Sequence, residues 1–205
     1  MEGLIKSVGN IFIAASTFPK ELAGSCKGHD CKVNEVCIPQ SPNCICVPLL
    51  EAFVGRGTRD GSLVSQYKTT GQSTYYTCRA DEQCGSGAGV DGIKGPKNFF
   101  HTRYELEPFW WVNLGEVYEI QKVISTNRIT QLYGSRLQKM LVHVGESLDT
   151  CEMKLCGQFV GPGVTGQVIV TPCLIFPKGK IVKLTSVNDR SEVFHLSEVE
   201  VYGVK

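Results

Sequence analysis

Apolar and polar residues alternate along most of the second half of the chain, in short bursts. The clearest is Pro108-Phe109-Trp110-Trp111-Val112-Asn113-Leu114-Gly115-Glu116-Val117-Tyr118, which holds both tryptophans of the sequence side by side. Successive side chains of a strand point to opposite faces, so one indole should enter a core while its neighbour points away. A proline just ahead of the pair suits a strand's first residue, where no ladder donor is required. Further bursts follow at 117–125, 137–144, 167–171, 180–186 and 193–202, after a shorter β-prone run at 72–77. Turn residues separate them, at Tyr133-Gly134-Ser135, Gly161-Pro162-Gly163, Pro177-Lys178-Gly179 and Asn188-Asp189. Many short strands without a sustained helical period predict an all-β fold, an antiparallel sandwich or barrel. Residues 81–97, with five glycines and Pro96, read as a long turn-rich loop.

Length and composition change this picture at the N-terminus. A chain of 205 residues can hold one full domain and a small module. Its net charge of +1, without a basic run, gives nucleic acid or an anionic membrane no electrostatic hold. No apolar run approaches the roughly 18 residues that a membrane-spanning helix needs. Ten cysteines indicate an oxidising compartment. A zinc site is disfavoured: there is no C-x-x-C pair, and only His29 lies among the clustered cysteines.

Cys26, Cys31, Cys37, Cys44 and Cys46 follow the spacing C-x4-C-x5-C-x6-C-x-C, which resembles the first five cysteines of an EGF-like module. The sixth is absent and the next cysteine is Cys78, so the module is degenerate. Four parts are expected: an N-terminal segment at 1–25, the cysteine-rich module at 26–50, a linker at 51–65, and the sandwich at 66–205. The apolar piece Ile11-Phe12-Ile13-Ala14-Ala15 is short for a signal peptide, so the signal is weak or the copy truncated. Cysteine usage outweighs it, and a secreted protein is expected.

The sandwich resembles the F-type lectin (fucolectin) family of the discoidin, or coagulation-factor C-terminal, superfamily. Six pieces carry the resemblance in order: Gly71-Gln72-Ser73-Thr74, Val90-Asp91-Gly92, the tryptophan motif, Asn127-Arg128, Arg136-Leu137, and His195-Leu196-Ser197-Glu198-Val199-Glu200-Val201. The resemblance implies a discoidin-like β-sandwich with jelly-roll topology whose apical loops hold a ligand. It implies terminal fucose as that ligand, gripped by one histidine and two arginines. Guanidinium groups span neighbouring sugar oxygens, and an imidazole serves an axial hydroxyl. His101, seven residues before Pro108, and Arg128 fall at the family's spacing. Arg136 lies one residue further along than the second arginine, implying an insertion in the loop. Leu132 or Tyr133 could form the apolar ledge that the family builds from two adjacent cysteines, here Gln131-Leu132. Thr130 replaces the acid of the family's R-x-D motif, which would orient the guanidinium groups. Arg103 is a stand-in donor that reads more simply as a rim charge, and His143 reads as a structural histidine within its strand.

The same resemblance implies a structural calcium ion, held by the carboxylates of Asp91 and Glu198 and by carbonyls of Ala88, Ile93 and Ser197. It also implies a Cys156–Cys173 bridge. Another family bridge is lost at both ends, where Phe99 and Ser197 now stand. Cys78–Cys84 is a plausible local bridge, leaving Cys151 and one N-terminal thiol over. Two functions follow. One is an extracellular lectin for fucosylated glycans, acting through homo-oligomers or repeats for avidity. The other is a discoidin-like adhesion or matrix module that has lost the sugar and binds protein or lipid. Neither a nucleophile elbow nor a metal triad is present in the sequence, so no enzyme is expected.

Overall fold

The computed structural model describes residues 61–130, 132–149 and 152–205, together with the backbone of two strands at 35–40 and 43–48. The chain divides into two units, 1–46 and 47–205. Strands β1 (Glu35–Gln40) and β2 (Asn43–Pro48) form a two-stranded sheet. The five clustered cysteines, Gln131 and Cys151 lie outside what the structure describes in full.

The larger unit is an antiparallel β-sandwich, as the alternation predicts. Its strands are β3 (Ser62–Leu63), β4 (Thr69–Gln72), β5 (Phe100–His101), β6 (Phe109–Asn127), β7 (Met140–Gly145), β8 (Lys154–Phe159), β9 (Val168–Pro172), β10 (Lys178–Ser186) and β11 (His195–Val204). Everything is organised on β6. Its first half pairs with β4 and β10, its second half with β9 and β11, so a single strand serves both layers. The sequence suggests two separate runs, at 108–118 and 117–125. The structure instead joins them in one strand, with Gly115 at φ +86°, a value that side-chain-bearing residues rarely adopt.

The tryptophan pair divides as alternation requires. Trp110 is fully buried, stacks on Phe100 with ring centres 5.4 Å apart, and donates from Nε1 to the Ser86 carbonyl at 2.9 Å. Phe100 in turn meets the edge of Phe194 at 5.2 Å. Trp111 faces outward over Gly71, where a Cβ would stand 2.6 Å from its ring. The core continues through Val112, Leu114, Val142, Val144, Val182, Leu184, Val199 and Val201, inward positions of four strands.

Three boundaries differ from the sequence reading. Residues 61–65 are not linker: β3 pairs with β11, Val64 enters the core, and the Ser65 hydroxyl donates to the Val199 carbonyl and accepts from the Val201 amide. The run at 72–77 contributes only Gln72 to a strand, and its two tyrosines are about half exposed. Strand β8 has no counterpart in the alternation analysis. It is a mostly half-buried strand at the end of the sheet, where one face need not be apolar. Both predicted disulfides are present, Cys78–Cys84 and Cys156–Cys173.

Candidate functional site

The loops at one end of the sandwich bring together the residues that the sequence singled out. Strand β5 positions the first, by pairing His101 with His195 on β11. Along 98–101 side chains alternate, so Phe100 enters the core while Phe99 and His101 share the other face. His101 is only 4% exposed and packs between Tyr76, at 4.5 Å, and His195, at 5.2 Å between ring centres. Its Nδ1 lies 2.6 Å from the Thr102 carbonyl. A carbonyl can only accept, so Nδ1 carries the proton and Nε2 keeps a lone pair. Burial pushes the imidazole pKa down to about 4; the Thr102 carbonyl opposes this, while Arg128 and Arg136 add to it. Neutral His101 therefore supplies an acceptor.

Arg128 follows directly on β6, and Asn127 fixes the loops around it. The Asn127 amide donates to the carbonyls of Gly134, at 2.9 Å, and Val164, at 2.8 Å, while its oxygen accepts from the Arg128 amide at 2.8 Å. One side chain thus ties the 132–136 loop to the 161–166 loop. Arg136 ends a short 3-10 turn, Gly134–Arg136, that these bonds hold in place.

Aromatic rings do the orienting that an acid would otherwise do. The Arg128 guanidinium carbon stands 3.8 Å from the centre of the Phe99 ring and 4.8 Å from that of Tyr133. Arg136 lies 4.7 Å from Tyr133 and 6.0 Å from Tyr104. Phe99, Arg128, Tyr133, Arg136 and Tyr104 therefore alternate ring and cation in one series. The carboxylate contribution is slight, since Glu82 Oε1 lies 3.9 Å from Arg128 Nη2. Thr130 spends its hydroxyl on the Pro96 carbonyl, at 2.7 Å. Leu132 stands at the loop tip, 89% exposed with φ +76°, next to the apolar face of Tyr133. Arg103 stays on the rim, its Nε donating to the Tyr75 carbonyl.

Tyr76, Glu82, Phe99, Tyr104 and His195 join this site without having been singled out for it. The sequence marks position 99 only through the resemblance, which implies a cysteine there. The Cys78–Cys84 bridge, which constrains the loop carrying Glu82, was the signal that could have pointed to Tyr76 and Glu82. The Cys84 carbonyl accepts from the His101 amide at 3.2 Å, so that loop is docked against β5.

A second cluster suits a hard cation. The Asn98 amide nitrogen meets three oxygens: the carbonyls of Ala88, at 3.4 Å, and Ile93, at 2.9 Å, and Asp91 Oδ1 at 3.0 Å. Glu198, nearly fully buried, accepts from the Gly92 amide at 3.1 Å. Burial, and then the Asp91 charge, raise its pKa to about 7. Two carboxylates that repel each other, with two carbonyls nearby, are the kind of oxygen donors calcium takes, and a cation there would relieve the repulsion. Ser197 occupies the bulge beside Glu198, where β11 slips against β6. Its hydroxyl is buried and has no partner among the described residues.

Solved structures of known proteins share this architecture. A fucolectin from the serum of the striped bass, Morone saxatilis, matches with a TM-score of 0.61 at 22% identity, over 73% of this chain and 50% of that one. A fucose-binding module of Streptococcus pneumoniae matches at 0.56 and 25% identity, over 70% of this chain and 99% of that one. A Clostridium perfringens protein in complex with GalNAc-β-1,3-galactose matches at 0.56 and 19%, over 69% and 100%. The chain has the sandwich fold of these sugar-binding proteins. It spans half the length of the striped bass lectin. No family model and no curated protein matches the sequence.

Proposed function

We propose that this protein is a non-catalytic extracellular lectin that binds terminal fucose on glycans through His101, Arg128 and Arg136. The convergence of those three groups carries the reading. Two guanidinium groups offer donors to neighbouring ring and hydroxyl oxygens, His101 Nε2 accepts from one hydroxyl, and Tyr133 and Leu132 give the sugar's methyl group an apolar ledge. Fucose-binding proteins among the structural neighbours support the choice of sugar. Two disulfides in the described residues suit an extracellular setting. Calcium, held by Asp91, Glu198, Ala88 and Ile93 with Ser197 alongside, would brace the 85–98 loop beneath the site. Weak single sites would act together through homo-oligomers or repeats.

The competing reading is an adhesion or matrix module that kept the sandwich and lost the sugar, and Thr130 in place of the acid favours it. A glycan array decides between them. Hits restricted to fucosylated glycans, lost in His101→Ala and Arg128→Ala, support the lectin. Silence on every glycan by a folded protein leaves the adhesion module.

A further inference from the structure

The charges around the site do not balance. Two arginines meet one nearby carboxylate, Glu82, whose contact with Arg128 is 3.9 Å long and whose other oxygen accepts from the Arg79 amide at 3.2 Å. Arg136 forms no ion pair among the described residues; its neighbours are two tyrosine rings. Arg128 Nε is buried without a hydrogen-bond partner among the described residues, in a side chain that is itself 7% exposed. The other acids of this end are engaged elsewhere. Asp81 pairs with Lys97 at 2.6 Å, and Glu105 Oε1 accepts from the hydroxyls of Ser73 and Thr74.

Stacking on rings orients a guanidinium but leaves its charge intact. A ring covers the flat face of the group, where the π cloud attracts the cation. The N–H donors lie in the plane and project from the edge, which is the geometry that receives a planar or tetrahedral oxyanion. Replacing a carboxylate by rings therefore changes what the pair can bind. An acid would occupy those edge donors and neutralise one charge, whereas Phe99, Tyr133 and Tyr104 do neither.

We propose that the saccharide this site takes carries an anionic substituent, a sulfate ester or a carboxylate, held by the edge donors of Arg136 beside Arg128. The inference rests on the carbohydrate-binding reading and narrows its ligand to charged sugars.

Calorimetric titration of the full chain tests it with methyl α-L-fucoside, the sulfate esters of that fucoside, and a galactoside paired with its galacturonide. An anionic partner held by charge-assisted hydrogen bonds should bind about tenfold more tightly than its neutral counterpart. The sulfate and uronate arms tell which oxyanion is preferred. Added salt should weaken the charged ligands and leave the neutral ones nearly unchanged. Arg136→Gln removes the charged edge donors proposed to hold the oxyanion, and the preference should fall to near unity. Equal affinity for neutral and charged members of both pairs, insensitive to salt, overturns the inference and leaves the lectin reading standing. Silence towards all of them overturns both.

Discussion

The Arg128 guanidinium lies 3.8 Å from the centre of the Phe99 ring, and Phe99 is completely buried. The F-type lectin resemblance implies a cysteine at position 99 and an acid at position 130; the chain has Phe99 and Thr130 there. The Phe99 ring gives the arginine a surface to lie on. Cation–π contacts of this kind contribute about 0.5–2 kcal/mol, comparable with an exposed ion pair or better.

Phe99→Leu separates that orienting role from packing. Leucine keeps most of the apolar volume, so the loss of stability should stay near 1–2 kcal/mol, whereas alanine would cost about 3–5 kcal/mol through its cavity. Sugar affinity should fall by about 3- to 10-fold, because Arg128 loses one of its two faces. Thermal unfolding and calorimetry on the same variant check both numbers. An affinity unchanged in Phe99→Leu would show that Tyr133 alone orients the arginine.

The pH dependence of binding should follow His101. Its pKa is pushed down to about 4 in the folded chain from an ordinary 6.5, chiefly by burial. A lowered base is neutral when folded, so between those values only the unfolded chain binds the proton. Its contribution to stability is thus fully present above pH 6.5 and lost as pH falls through about 4. Sugar binding needs the Nε2 lone pair, and should hold steady from neutral pH down to about 5.5 before collapsing near 4. Affinity measured across this range checks it; a midpoint near 6.5 would mean a solvated imidazole and a different acceptor.

Much of this molecule was legible in the sequence because strands advertise a period of two. That Trp110 and Trp111 divide between the two faces needed nothing else, though which one enters the core is seen only in the fold, and the inward runs of β6, β10 and β11 follow the same alternation. The convergence of His101, Arg128 and Arg136 was legible only through ordered motif pieces, since no local pattern brings residues that far apart in sequence together. What escaped had physical reasons. Val64 and Ser65 sit in a segment whose glycines and charges look like linker, and only pairing with β11 makes them core. The ring–cation series escaped because Phe99, Tyr133 and Tyr104 each look like ordinary core or surface aromatics until the fold stacks them. His195 escaped because alternation shows that a residue is inward but not which ring it will touch.

Gly134 holds the second arginine's loop in place by close approach. A Cβ there would stand 2.1 Å from the Thr165 amide nitrogen, on backbone that cannot rotate aside. Gly134→Ala must therefore lift the 132–136 turn off the 161–166 loop and strain the Asn127 clamp that spans both. A loss of about 1–3 kcal/mol in stability is expected, with a larger relative loss in sugar affinity, because Tyr133 and Arg136 move with the turn. Chemical denaturation together with a glycan titration tests this; full affinity in Gly134→Ala would disconnect that turn from the site.

Calcium should act on stability before it acts on sugar. Glu198 accepts from the Gly92 amide next to Asp91, and burial, with the Asp91 charge, raises its pKa to about 7. A divalent ion between them would offset both the burial and the repulsion. A ligand present at about a hundred times its Kd adds about 2.7 kcal/mol, which for a domain of this size shifts Tm by roughly 5–10 °C. Calcium should therefore raise the melting temperature of chelator-treated protein by about that much. Magnesium should do less, since it demands a tighter octahedron than this carbonyl-rich set provides. Asp91→Asn should abolish the calcium shift. Glu198→Gln should melt higher than the chelated wild type, because the buried charge is gone. Scanning calorimetry in chelator, calcium and magnesium covers all three. Identical melting of the wild type in chelator and calcium would remove the ion, leaving Asn98 and the Gly92 and Ile93 amides to hold those oxygens.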